Sequence, residues 1–523
     1  MLDRRLLLPF LAAAALYAQP ASLTYRSRVD GTEQPYALYL PKNLDRARKY
    51  PLVIGLHEEE SNHAVSLKRL FGVANRFGET GLQALTTFPP MRSVDMIVAC
   101  PFARATMGYQ GIAEQDVYDV LDEVKRRYPI DEDRIYLTGS SMGGGGALWL
   151  SLTRPDIWAA VAPVCAATIP GSEELAGNAL NFPVRLFHGE LDPAVKAESS
   201  RQWQRRFLEA GVTADYIEFP GVRHNAWDSA YRDASIFEWF SRFKRDRDPN
   251  HVHFITRNGR YPSAYWVRID SFAPGALATI DAVRSGSDIR VQTKDLDAFS
   301  LTASARTINV DGAAVRLRPG APLSFRKTNG RWTQSSAPVL LPPGPIVEAV
   351  NSRHIYVYGA NDAQARRNAE AAAAWSTARV RINLSLPVKS DQEVTEEDVA
   401  SSNLVLFGNA GTNRLIARFA PQLPLALNPG AADYGLAFVA SIGSRYVLVS
   451  SGLPWWTGAD EVNRGGYRFA PDQYRLLSTF GDYILFKGGL YNVLAEGRYD
   501  RGSKLPPDAA AKLQATGTIT LRP

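Results

Sequence analysis

The 523-residue sequence predicts an α/β fold: a doubly wound, mostly parallel sheet, then a small antiparallel β domain, then a second and smaller α/β domain. Three observations carry this. Between about residues 34 and 247, short β-rich runs alternate with amphipathic helical runs, the pattern of a sheet covered on both faces. From 251 to 335, strand-like runs follow one another with almost no helical periodicity. From 346 onward, both kinds return.

The chain opens on "MLDRR" and "LLLPFLAAAALYA", a basic start and an apolar run too short for a comfortable membrane span. Residues 1–18 therefore read as a secretory signal cleaved after about Ala18. This predicts a secreted or periplasmic protein with no stable membrane span after signal removal. The first domain, 22–247, holds strand-like runs in "QPYALYL", "YPLVIGLH", "DMIVACPF", "RIYLTGS", "WAAVAPVC", "PVRLFHGE" and "DYIEFPG". Several are apolar on both faces, as buried parallel strands must be. In "IAEQDVYDVLDEVKRRYPI", Val117, Val120, Leu121, Val124 and Tyr128 share one helical face, and Pro129 ends the pattern. "SSRQWQRRFLEAGV" is similar, with Gly211 as its stop.

The alternating charges of "RFKRDRD" at 242–248 read as a solvated linker into the second domain, 251–335. Its strands, such as "HVHFITR" and "SAYWVRIDSF", are divided by turn-forming pieces such as "RSGSD" and "VDGAA". "APVLLPPGPI" is a stiff connection to the third domain, 346–523. There "HIYVYGA", "NLVLFGN", "SRYVLVSSG" and "GDYILFKG" read as strands and "DAQARRNAEAAAAWS" as a helix.

Composition narrows the function classes. At 45% apolar and 21% charged residues the chain is neither disordered nor membrane-embedded. A net charge of +6 over this length is a weak field, and no Lys/Arg block with interleaved aromatics is present, so nucleic acid is not an expected partner. Cys100 and Cys165 are the only cysteines, too few for a disulfide scaffold.

The chemistry concentrates in "RIYLTGSSMGGGGALW", residues 134–149. It fits G-x-S-x-G in one frame only, Gly139 to Gly143 with Ser141 central, because Thr138 rules out a frame centred on Ser140. That pattern places a serine on a strained strand-to-helix turn. A serine hydroxyl needs an imidazole to take its proton and a carboxylate to orient that imidazole. "RLFHGELDPAV" places Asp192 in the loop after one predicted strand, and "EFPGVRHNAWD" places His224 after the next. His188, at the end of the strand before Asp192, is the rival base.

The stretches "TGSSMGGGGA", "HGELDPAV" and "GVRHNAWD" resemble the α/β-hydrolase superfamily over about residues 30–247. The resemblance is to its exported esterases, akin to feruloyl esterases and polyhydroxybutyrate depolymerases, and to the prolyl oligopeptidase catalytic domain. It implies Ser141 as nucleophile, Asp192 and His224 in the family's chain order, the Met142 N–H as one oxyanion donor, and no metal or organic cofactor. It also implies a strand order in which the strands ending in Cys100 and Cys165 are separated by two others, about 14 Å, too far for a disulfide. The expected partner is a small-molecule or polysaccharide-linked ester, with feruloyl or acetyl esters as candidates. The alternatives are a prolyl oligopeptidase-like peptidase and a catalytically inactive binding protein.

One departure stands out. Where the family usually carries His-Gly-x-Gly, this chain has "GLHEEESNH", with Glu58, Glu59 and Glu60 in place of glycines. The second oxyanion N–H is expected from this loop at Glu58, since any non-proline residue supplies one. The three carboxylates are expected to face solvent; close to the oxyanion they would oppose its charge, and neutralising Glu58 or Glu59 would raise turnover. Tyr109 and Trp227 are candidate substrate-binding aromatics. His251 and His253 share one strand face at metal-ligand spacing without an evident third ligand.

Overall fold

The computed structural model describes residues 20–73, 88–273, 275–335, 344–377, 384–466, 468–500 and 504–522. The signal segment 1–18 lies outside the described residues. Eight strands build the first sheet: β1 (Ala21–Arg26), β2 (Glu33–Tyr39), β3 (Tyr50–Leu56), β4 (Ile97–Pro101), β5 (Ile130–Ser140), β6 (Ala160–Val164), β7 (Val184–Gly189) and β8 (Ala214–Phe219). Their order is β1-β2-β4-β3-β5-β6-β7-β8. β1 and β2 run antiparallel to their neighbours, and β4 to β8 are joined in parallel. β3, β4 and β6 are buried at every position, matching their unbroken apolar sequences. The sheet begins one strand earlier than the "QPYALYL" run suggests: "ASLTYR" pairs along the β2 edge.

The helices that matter to the site are α1 (His63–Leu70), α2 (Ile112–Arg127), α3 (Met142–Thr153) and α4 (Ala197–Glu209). Asn62 caps α1 by accepting the Ala64 and Val65 N–H groups. α2 stops at Arg127, and Tyr128 is extended (φ −131°) rather than part of the helical face, because Pro129 disfavours the helical conformation of the residue before it.

Two five-stranded sheets occupy His251 to Gln334. They are not wholly antiparallel: Asp288–Lys294 and Thr307–Val310 pair in parallel. A seven-stranded mixed sheet follows, from His354–Tyr358 to Val493–Gly497, with α5 (Ala363–Thr377) against it. The units share a core. One apolar cluster runs from Val117 and Leu148 on α2 and α3 into Ile346, Tyr356 and Tyr474. The C-terminal sheet domain thus covers a face that would otherwise meet water. No helix among the described residues is long and apolar enough to cross a membrane.

Candidate active site

The turn after β5 carries the site. Ser141 caps α3 with φ 54° and ψ −114°, a conformation that costs a non-glycine residue on the order of 1–3 kcal/mol. The surroundings hold it there. The Ser141 N–H donates to Val164 O (2.8 Å), and its carbonyl accepts from Gly145 and Ala167 N–H (3.0 and 2.9 Å). Side chains are excluded around it: a Cβ on Gly143 would lie 2.4 Å from Leu56 O, and one on Gly145 1.9 Å from Ala167 O. The glycines after the serine are therefore a condition of packing α3 between β3 and the segment beyond β6.

Ser141 Oγ lies 2.9 Å from His224 Nε2, and His224 Nδ1 lies 2.7 Å from Asp192 Oδ2. The three come from the loops after β5, β7 and β8, at one end of the sheet. Asp192 is buried, and burial alone would raise its pKa. The hydrogen bond from His224 and the Ala194 and Val195 N–H groups on Oδ1 (2.8 and 2.9 Å) outweigh this, so the carboxyl is held below its ordinary value.

His188 is not placed to act on the serine. Its ring turns to Ser200 Oγ (2.7 Å) and Val195 O (2.9 Å), with Nε2 at 3.3 Å from Asp192 Oδ2. Burial lowers its pKa. It braces the loop that carries Asp192.

The segment at Glu58 departs from the sequence expectation. Glu58 is buried, not solvated. Its carboxylate forms an ion pair with Arg69 at the end of α1, and its Oε2 accepts from Ser140 Oγ at 3.1 Å. The Arg69 guanidinium lies 4.7 Å from the Trp227 ring centre, and Trp227 stands edge-on to His224 at 5.4 Å. Burial lowers the Arg69 pKa to about 10, so it remains a cation at neutral pH. The charge of Glu58 is therefore compensated next to the triad. Glu59 and Glu60 are exposed, and Glu59 lies 3.5 Å from Arg468 of the C-terminal domain.

The loop is anchored from below. His57 is fully buried, its ring nitrogens 2.7 Å from Glu58 O and 2.8 Å from Phe102 O, and burial lowers its pKa to about 4. A neutral ring donates to one of these carbonyls. Tyr109 does not line a substrate surface: it is fully buried, and its hydroxyl donates to His57 O at 3.0 Å. Trp227, half-buried beside His224, does border the site. Met142 is buried, with its N–H at the first position of α3, where no carbonyl within the helix can accept it.

Among the described residues, Cys165, His188 and Asp192 are the one group whose metal-competent atoms lie within 4.8 Å of one another. Asp192 Oδ2 is already taken by His224. His251 and His253 both reach Asp281, at 3.0 and 2.8 Å, and form a hydrogen-bonded cluster on the second domain. Arg69 was not legible as a site residue: its sequence signal is only a cation at the end of a short helix, and its partner Glu58 is eleven residues away.

Residues 27–207 match the family model Esterase, described as "Putative esterase". Cutinase 1 of Thermobifida cellulosilytica is 26% identical over 131 residues, 25% of this chain and 48% of that protein. Cutinase est1 of Thermobifida alba is 24% identical over 169 residues, 32% of this chain and 50% of that one. The chain thus spans about half the length of these cutinases. Among solved structures, a ferulic acid esterase of Anaeromyces mucronatus in complex with ferulic acid is 18% identical, covering 44% of this chain and 92% of that one with a TM-score of 0.34. The family match, residues 27–207, falls within the eight-stranded unit, so the resemblance to esterases is carried by the part of the chain that holds Ser141 and Asp192.

Proposed function

We propose that the protein is a serine hydrolase of carboxylic esters, working through an acyl-enzyme. The observation that carries this is the continuous Ser141–His224–Asp192 relay, at 2.9 and 2.7 Å, on the strained turn after β5. His224 takes the Ser141 proton as Oγ attacks the ester carbonyl, and the carbonyl π pair moves onto oxygen. The Met142 and Glu58 N–H groups are assigned to that oxyanion. Collapse expels the alcohol, which receives the proton from His224, and water repeats the sequence to free the acid. Asp192 stays ionised throughout and holds His224 with Nε2 toward the serine.

The Arg69 pair favours this reading over an inactive binding protein, because it removes the uncompensated charge that would oppose the oxyanion. The resemblance to feruloyl esterases favours feruloyl or acetyl esters on polysaccharide. Export is inferred from the basic and apolar N-terminus, and N-terminal sequencing of the mature protein tests it. Labelling by a fluorophosphonate and cleavage of aryl, acetyl and feruloyl esters test the reaction class. Absence of labelling together with absence of cleavage across that panel would overturn it.

A further inference from the structure

A cavity of about 570 Å³ lies where the three units meet, within the range of sites that enclose small ligands. Segments that carry the candidate active site also contribute to its walls. Met107 and Gln110 line it, and between them Tyr109 holds His57. Pro170 lines it three residues after Ala167, whose N–H binds Ser141 O. Trp149 lines it two turns along α3 from Met142, about 10 Å at the helical rise. Arg464 and Gly466 line it, and the same segment carries Arg468 to Glu59.

Its charges come from all three units. Glu114 on α2, Arg257 and Arg260 after the strand His251–Thr256, and Glu348, Arg464 and Arg498 of the C-terminal domain face one space. The innermost groups compensate one another. Arg260 donates to Asn351 O (2.7 Å), and its charge acts on both Glu114 and Glu348. Glu114 Oε2 accepts from Trp149 Nε1 (3.2 Å), and Glu348 Oε1 from Asn351 Nδ2 (3.2 Å).

The outer pair is different. Arg257 and Arg498 come from separate units, and their side chains are 40% and 41% exposed. Among the described residues, Arg498 has a loose ion pair with Asp482, at 3.8 Å. Arg257 pairs with Glu174. Both line the same cavity, and burial first and the Arg498 charge second make Arg257 less basic than usual. Two guanidinium forks facing one polar space suit a carboxylate. Asn258, Ser478 and Thr479, also on the wall, are neutral partners for hydroxyl groups.

We propose that this cavity is a subsite for the part of the ester remote from the scissile bond, and that it takes a uronic acid residue with its carboxylate between Arg257 and Arg498. The assignment of that residue to a substrate rests on the ester-hydrolase reading above; the binding itself does not. The test is calorimetry on the full chain carrying Ser141→Ala, titrated with digalacturonate, with cellobiose as the neutral sugar and with inorganic phosphate. Digalacturonate is expected to bind, and Arg498→Gln and Arg257→Gln are each expected to weaken it about tenfold or more, the loss for one charge-assisted contact. Equal binding of digalacturonate and cellobiose, no binding of either, or binding of phosphate in place of digalacturonate would overturn the proposal. So would undiminished binding in both arginine variants that still melt cooperatively. Fluorophosphonate labelling of the unaltered chain is read separately: labelling without uronate binding sinks this inference alone, and uronate binding without labelling sinks the hydrolase reading alone.

Discussion

Replacing Glu58 by Gln tests the least expected feature of the site. On sequence alone the change should raise turnover, because it removes a negative charge near the oxyanion. The structure reverses the sign. Glu58 and Arg69 side chains are 11% and 19% exposed, and the carboxylate also accepts from Ser140. A glutamine retains one acceptor oxygen and leaves Arg69 without its counter-charge. Losing one hydrogen bond to a charged group costs about 1.5–3 kcal/mol. At about 2–4 °C per kcal/mol for a domain of this size, melting should fall by about 3–12 °C. Arg69 packs on Trp227, and Trp227 on His224, so kcat/KM on a neutral aryl ester should fall about threefold to tenfold, roughly 1 kcal/mol of lost positioning. The assay is a double-mutant cycle of Glu58→Gln and Arg69→Gln, followed by melting and by aryl-ester kinetics. The double variant should lose less than the sum of the singles. A rise in turnover with an unchanged melting temperature in Glu58→Gln would refute the reasoning and restore the repulsive carboxylate.

Three further outcomes are expected. Ser141→Ala should abolish fluorophosphonate labelling and ester cleavage, whereas Ser140→Ala, which loses one hydrogen bond to Glu58, should keep labelling and lose no more than about tenfold in rate; equal rates in wild type and Ser141→Ala would end the nucleophile assignment. Cys100 and Cys165 are buried and unpaired with thiol pKa values pushed to about 12, so a thiol reagent at pH 8 should titrate neither in the native protein and both after denaturation without reductant. Finding no thiols in the denatured protein would contradict the strand order. His57, His63 and His354 are buried, with pKa values lowered from 6.5 to about 4, 3 and 4, so they stay neutral when folded and gain protons below pH 6.5 only when unfolded. Stability is therefore complete above pH 6.5 and is lost as pH falls, by about 2 kcal/mol for each histidine at pH 5; melting temperatures that stay flat from pH 7 to 5 would refute their neutral burial.

What was legible in the sequence follows from the range of each interaction. Ser141, Asp192 and His224 sit at strand ends, where local pattern fixes both element and position, and the structure brings them together. Glu58 was misread because its charge is balanced by a cation on a helix face, and no local pattern reports that. Tyr109 was read as a pocket aromatic because an isolated tyrosine between turns carries no signal of depth. α2 shows the same limit on a larger scale. Its apolar face was evident, yet Glu114 at the edge of that face and Asp116 and Asp119 on other faces are buried too. Arg104, itself fully buried, binds Asp116 and Asp30, and the C-terminal domain covers the rest. Strand β1 was missed because its alternating, half-exposed residues become a strand only by pairing with β2.

The four buried glycines from Gly143 to Gly146 also decide what holds the turn at Ser141 in place. Each costs a helix about 1 kcal/mol relative to alanine, and Ser141 offers its helix no side-chain cap. On its own the start of α3 cannot stay helical. It is held by backbone from β3 and from the segment after β6, which press against the glycines at distances no side chain would permit. The strained turn therefore depends on contacts from segments distant in sequence. A chain that lacks those contacts does not hold Ser141 in this conformation. The conformation of Ser141 is in this sense a property of the closed sheet rather than of its own short stretch of sequence.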